Sequence, residues 1–225
     1  MSKSMIQRVV CALLVSLWWP AAWASEGDVA PRAAGQPGVQ AMSLQTGGTL
    51  FAPTSEASSQ FGDVDGLWNQ VFVSLHFVVH DHVAVGVGYA NGTQYTPDAF
   101  LDGSLVVNTL WLSGRALYEV LPFLTLFAEQ DLGLDHARVR YSLSEGRLRD
   151  SAWSPVTYTS LGADISLHLG AYRVGFVTQH GYRWTHGWAM DNARFANSDA
   201  RPLDLGTLRA RGYQGRFGIS LGVVF

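Results

Sequence analysis

Glu129, Asp131 and Asp164 lie on the polar parity of their segments, and so do Arg173, Arg183, Arg216, His76 and His168, with Gln179 and Gln214 beside them. Successive side chains of a strand point to opposite faces, so this spacing gathers both signs of charge on one surface. If that surface is closed off from water the charges must pair, because a lone buried charge is costly. The set can therefore plug an interior through ion pairs. Its alternative use is to line a gated polar path for ions or small solutes.

Three further groups carry potential chemistry. His80-Asp81-His82 sets two imidazoles around a carboxylate, which could hold a weak zinc or copper ion. The spacing falls short of a metal motif and reads as a solvated turn, so no metal or cofactor is expected. His180 lies on an apolar parity among Phe176, Tyr182 and Trp184, with no serine near it on that face, and a hydrolytic site needs a hydroxyl within reach of the base. It reads as an interfacial residue. The third group is in the long connections. Arg138 and Arg140, with Arg147 and Arg149, fall in one, and Trp188, Arg194 and Phe195 in the last. Mixed arginine and aromatic content suits contact with protein or with lipopolysaccharide.

The elements that position these residues alternate with a period of two. Strands are predicted over Val39–Phe51, Trp68–Val78, Val83–Tyr89, Ser104–Leu117, Phe123–Leu134, Val156–Leu169, Tyr172–Trp184 and Arg209–Phe225. The fourth has no clean parity, since Asn108 and Arg115 fall on opposite faces, and a bulge or a partly apolar lumen is expected there. Connections near 79–82, 118–122 and 169–171 are short; those near 52–66, 90–103, 135–155 and 185–208 are long. Aromatics cluster at strand ends. Phe51, Trp68, Tyr89, Tyr158, Tyr182, Trp184 and Tyr213 would mark one rim, and Phe77, Tyr118, Tyr172 and Phe225 the other.

The last predicted strand carries Tyr213, Phe217, Ile219, Leu221, Val223 and Phe225 on one parity and Gln214, Arg216, Gly218, Ser220 and Gly222 on the other. It resembles the closing strand of bacterial outer-membrane β-barrels, in which a terminal Phe is read by the barrel-assembly machinery. Arg216, Gly218, Leu221, Val223 and Phe225 fit that assembly signal. With the strand pattern, the resemblance covers nearly the whole chain after residue 24 and is to the small eight-stranded class of the OmpA membrane domain, OmpX and NspA. It implies an all-β, antiparallel, up-and-down transmembrane barrel with short periplasmic turns and long extracellular loops. An eight-stranded interior is just wide enough for side chains to fill, which favours the plugged reading of the charged set. The lipid A deacylase family is similar in architecture and uses a His-x-Ser pair. Here Tyr182 stands two residues after His180, so that pattern departs at the nucleophile and no catalytic residue is carried over.

Lys3 and Arg8 precede a short apolar run, Val9–Trp19, and Ala22-Trp23-Ala24 fits a cleavage site. Residues 1–24 therefore read as a signal peptide, 25–38 as a flexible periplasmic leader and 39–225 as the barrel. Cys11 is the only cysteine and Lys3 the only lysine. Without the signal peptide, 13 arginines face 18 acids, a net charge of −5 that argues against a nucleic-acid partner. The expected location is the outer membrane. The expected partners are its lipid and lipopolysaccharide, the assembly machinery and a host or cell-surface protein. The expected role is envelope integrity or adhesion, with a narrow channel and a lipid A-modifying enzyme as alternatives.

Overall fold

A computed structural model describes residues 41–53, 58–59, 62–63, 68–97, 102–143, 146–195, 202–208 and 210–225. The predicted signal peptide and leader lie outside the described residues. Eight long strands run in chain order: β1 (Ala41–Pro53), β2 (Trp68–His80), β3 (Val83–Pro97), β4 (Asp102–Leu121), β5 (Leu124–Leu143), β6 (Gly146–Leu169), β7 (Tyr172–Thr185) and β8 (Gly212–Val224). Each pairs antiparallel with its sequence neighbour, and β8 pairs with β1, so the sheet is a closed up-and-down ring. The tight turns are Asp81-His82, Pro122-Phe123 and Gly170-Ala171, at the expected places. Gly170 adopts φ +67°, a left-handed conformation that its missing Cβ permits.

The β1–β8 seam is continuous from Ala41 opposite Val224 to Pro53 opposite Gly212. Gly47 faces Gly218 across it. A Cβ on Gly47 would collide with the Phe217 carbonyl and the Gly218 Cα, and one on Gly218 with the Thr46 carbonyl. The seam closes because neither residue has a side chain.

The apolar parity faces outward. Val71, Leu112, Leu161 and Leu167 are each 68–70% exposed, and their neighbours on every ring strand continue the belt. Soluble monomers rarely expose a contiguous apolar band of this extent. The polar parity faces the lumen.

β4, β5 and β6 overrun their predicted limits, and most of the supposed loop 135–155 is strand. The alternation does not stop there; it changes phase. In β5, Leu126, Leu132 and Leu134 point outward, whereas beyond them His136, Arg138 and Arg140 take the outward positions and Ala137 and Val139 are buried. In β4, Leu105 and Val107 are buried while Leu110 and Leu112 face out. The same inversion explains the unclean parity of β4. Its pairing with β3 runs unbroken from Val83–Ala116 to Pro97–Asp102, so the bulge considered for this segment is absent and the lumen there is partly apolar. Register shifts occur only beside the turns, at Val78/His80 and Glu119/Leu121, among the described residues.

The last long connection folds inward over this raised sheet. Trp188–Ala189 pairs with Thr207–Leu208, and Arg194–Phe195 adds to the far end of β6. Trp188, Met190, Ala193 and Leu205 pack with Phe51, Val107, Val139 and Leu148 in one buried apolar cluster. Trp188 is 1% exposed, which corrects its assignment as a loop contact: it caps the barrel. Phe51 and Tyr158, expected at the rim, are buried too. Tyr89, Tyr182, Trp184 and Tyr213 are exposed near the long-loop end, joined by Trp153, and Tyr118, Tyr172 and Phe225 near the turns. The Trp68 side chain lies outside the described residues.

The seam yields a direct test. Gly47→Val should abolish the faster-migrating folded band that an unboiled barrel gives on a gel. Gly48→Ala should keep it, because a Cβ at Gly48 meets nothing nearer than 4.0 Å.

Candidate functional site

The lumen is the most heavily charged interior region. Nearest the turns, Arg173 lies 3.6 Å from Asp164 and donates to Ser166 Oγ, while Ser220 Oγ donates to Asp164 Oδ2 at 3.1 Å. In the middle, Arg115 pairs with Glu129 at 2.5 Å, and Gln179 Nε2 donates to Glu129 Oε1 at 2.9 Å. His76 Nε2 is 3.5 Å from Glu129 Oε2. Arg216 pairs with Asp131 at 2.7 Å and sits 3.6 Å from Glu129. Its guanidinium lies between the Trp111 and Tyr158 rings, 4.4 Å from each centroid, a double cation–π contact. Towards the cap, Arg183 pairs with Asp135 at 2.5 Å, and Thr109 donates to the other Asp135 oxygen at 2.7 Å.

Among the described residues, four lumen arginines (115, 173, 183, 216) thus meet four carboxylates (129, 131, 135, 164). Their charges cancel when all are ionised, which makes burial of so many tolerable. Parity located Glu129, Asp131, Asp164, Arg173, Arg183, Arg216 and His76, and all of these line the lumen. His168 departs from the expectation. It shares the inward parity but is exposed at the turn end, opposite Arg173 in register, where the barrel opens to water. Arg115 and Asp135 were not named in the inward set. Phase inversion hid both, because Arg115 stood against an outward Asn108 and Asp135 lay past the predicted end of β5. The signal that could have found them is continuity of parity through the change of phase.

Outside the lumen, His80, Asp81 and His82 are exposed at the first turn. His180 faces outward in a small polar cluster. Its Nε2 lies 3.0 Å from Thr178 Oγ1 and its Nδ1 2.5 Å from the Tyr213 hydroxyl, with the Phe217 ring edge-on. Thr178 thus sets a hydroxyl, though not a serine, beside the imidazole on the same face. The third group, however, is a phenol rather than a carboxylate, and the cluster satisfies its own hydrogen bonds. At the outer rim His136 stacks on Trp153 at 4.4 Å; burial and then the Arg138 charge hold its pKa below the usual imidazole value. On the inner face of the raised sheet, burial pushes the Tyr141 phenol up. Arg138, Arg140 and Arg194 are exposed, and Phe195 is half-buried beside the cap.

The chain matches no family model, and no curated protein matches it in sequence. Solved structures do match. Ail, the attachment invasion locus protein of Yersinia pestis, is 11% identical over 82% of this chain and 99% of its own, with a TM-score of 0.52. Ail in complex with the heparin analogue sucrose octasulfate gives 0.51 over the same shares. This chain has the fold of the small eight-stranded outer-membrane β-barrels. Neisserial surface protein A aligns more loosely, at 13% identity and a TM-score of 0.49, over 82% of this chain and 99% of its own. In barrels of this type the short turns are periplasmic and the long connections extracellular. The cap and raised sheet lie at the end of the barrel that carries the long connections.

Removing one partner of a buried ion pair leaves the other uncompensated, at a cost of about 3–5 kcal/mol. Arg216→Met should destabilise the refolded barrel by roughly that amount in denaturant unfolding, and adding Asp131→Leu should recover most of it. Arg173→Gln should cost only about 1 kcal/mol or less, because its side chain is 26% exposed and water screens the pair.

Proposed function

We propose that the chain is a non-catalytic integral outer-membrane protein, exported by cleavage of residues 1–24 and inserted with the help of the assembly machinery. It works at the cell surface, in adhesion or other surface interaction. The observation that carries this reading is the double closure of the lumen. A balanced ion-pair network fills the middle and an apolar cap built on Trp188 and Met190 covers the extracellular end. Among the described residues, ion pairs and an apolar cluster both occupy the interior, which weighs against the channel reading. What it does offer is a rigid sheet, β4 to β6, raised beyond the apolar belt. That Ail is an attachment and invasion protein and has been seen with a heparin analogue is consistent with surface work on the same scaffold. The role of Arg216, Gly218, Leu221, Val223 and Phe225 in assembly belongs to the same proposal. Gly218 has a structural duty besides, at the seam.

In planar bilayers the purified barrel is expected to show no steady openings above leak; steady openings altered by Asp164→Asn would favour the channel. Lipid A mass spectra after overexpression should show unchanged acylation. Expressed in a non-adherent Gram-negative host, the barrel should raise binding to cultured cells or immobilised serum proteins. A version with β4–β6 cut back to the belt, and still heat-modifiable, should not.

A further inference from the structure

The outward face of the raised sheet carries arginines in direct register. Arg140 of β5 stands opposite Arg149 of β6, and Arg149 opposite Arg194 of the added strand. Arg138, opposite Ser151, lies one row nearer the belt, and Arg147, opposite Ser142, one row farther out. All five are exposed. Residues directly opposite on neighbouring strands have Cβ atoms about 4.5–5.5 Å apart, and like charges so placed repel. Among the described residues, the ion pairs of the lumen include none of these five. Asp150, next to Arg149 in sequence, accepts from the Ser151 and Asn192 backbone amides instead. A sheet that tolerates three guanidinium groups abreast has a use for an anion.

We infer that this arginine face docks the phosphate groups of outer-leaflet lipopolysaccharide, an inference that rests on the outer-membrane reading above. Charge complementarity names the chemistry, and arginine forks bind phosphate oxygens bidentately. Position names the source. The face looks sideways from the barrel wall and continues the strip that carries Leu132 and Leu134 below. At belt height that strip meets acyl chains. The His136–Trp153 stack marks the rim. The Arg140–Arg149–Arg194 row lies two steps of two residues beyond, about 14 Å along the strands and roughly 10 Å higher once strand tilt is counted. The phosphorylated head of a neighbouring lipid occupies that height.

The test titrates the full barrel, refolded in zwitterionic detergent, with rough lipopolysaccharide and reads the bound fraction by native mass spectrometry. The triple variant Arg140→Gln, Arg149→Gln, Arg194→Gln should bind about ten-fold or more weakly, and wild-type binding should fall with added salt. Chemically dephosphorylated lipopolysaccharide should bind wild type as poorly as the intact lipid binds the variant. Unchanged affinity in the triple variant, or indifference to dephosphorylation, overturns the inference. So does loss of retention on a sulfated polysaccharide column with lipopolysaccharide binding intact, which would assign the face to a soluble polyanion. The gel shift on boiling checks that each variant is folded, with Arg140→Gln alone as the milder substitute. A wild-type chain recovered in the soluble periplasm would instead defeat the outer-membrane reading. Normal membrane fractionation with no arginine effect defeats only the docking.

Discussion

In hydrocarbon every backbone N–H and C=O must find its partner within the sheet, and the rest of this molecule follows from that constraint. It is met only when β1 and β8 join, and they join because Gly47 and Gly218 let the two backbones approach. Closure then creates an inside. Eight strands make that inside narrow enough for side chains to fill. The polar parity, denied lipid contact, has to be satisfied there by its own members, and the result is four arginines set against four carboxylates with Trp111, Tyr158 and Phe127 packed on the guanidinium faces.

Beyond the belt the medium outside the wall changes from hydrocarbon to water, and the demand on each face reverses. Leu134 is the last outward leucine of β5; two residues on, His136 takes that side, and Ala137 and Val139 turn inward. The same strands thus belong to a membrane protein below and to a water-exposed sheet above. A sheet with an apolar inner face needs a cover, and the connection between β7 and β8 supplies it through Trp188, Met190 and Leu205. The cap and the lumen network occupy the interior for different reasons, one by burying apolar surface and the other by neutralising charge.

Much of the fold was legible because period-two alternation is a strong signal within the belt. The three tight turns and the inward positions of Glu129, Asp131, Arg183 and Arg216 came from parity alone. The misreadings share a cause. Ending β5 at Leu134 and reading Trp188 as a surface contact both follow from assuming the membrane phase throughout, under which polar residues outward and apolar residues inward look like a loop; of the two alternatives for β4, the partly apolar lumen is the one present. Tyr158 and Phe51 were assigned to the rim from their place near strand ends. His168 was assigned to the lumen from parity alone, with no account of where the barrel opens to water.

By itself the sequence determined the strands, their alternation, the short and long connections and the gathering of opposite charges on one parity, because these depend only on the residue type at every second position. It could not tell inside from outside: an alternating strand is the same string in a soluble barrel and a membrane one. The tertiary structure decided that. It placed Leu112, Leu161 and Leu167 on the outer surface and the charges within. Only the tertiary structure could pair Arg115 with Glu129 and Arg216 with Asp131, draw the last connection over the barrel mouth, and align Arg140, Arg149 and Arg194 from three separate segments into one row. Each of these depends on cross-strand register, which is settled by packing and hydrogen bonding across the ring.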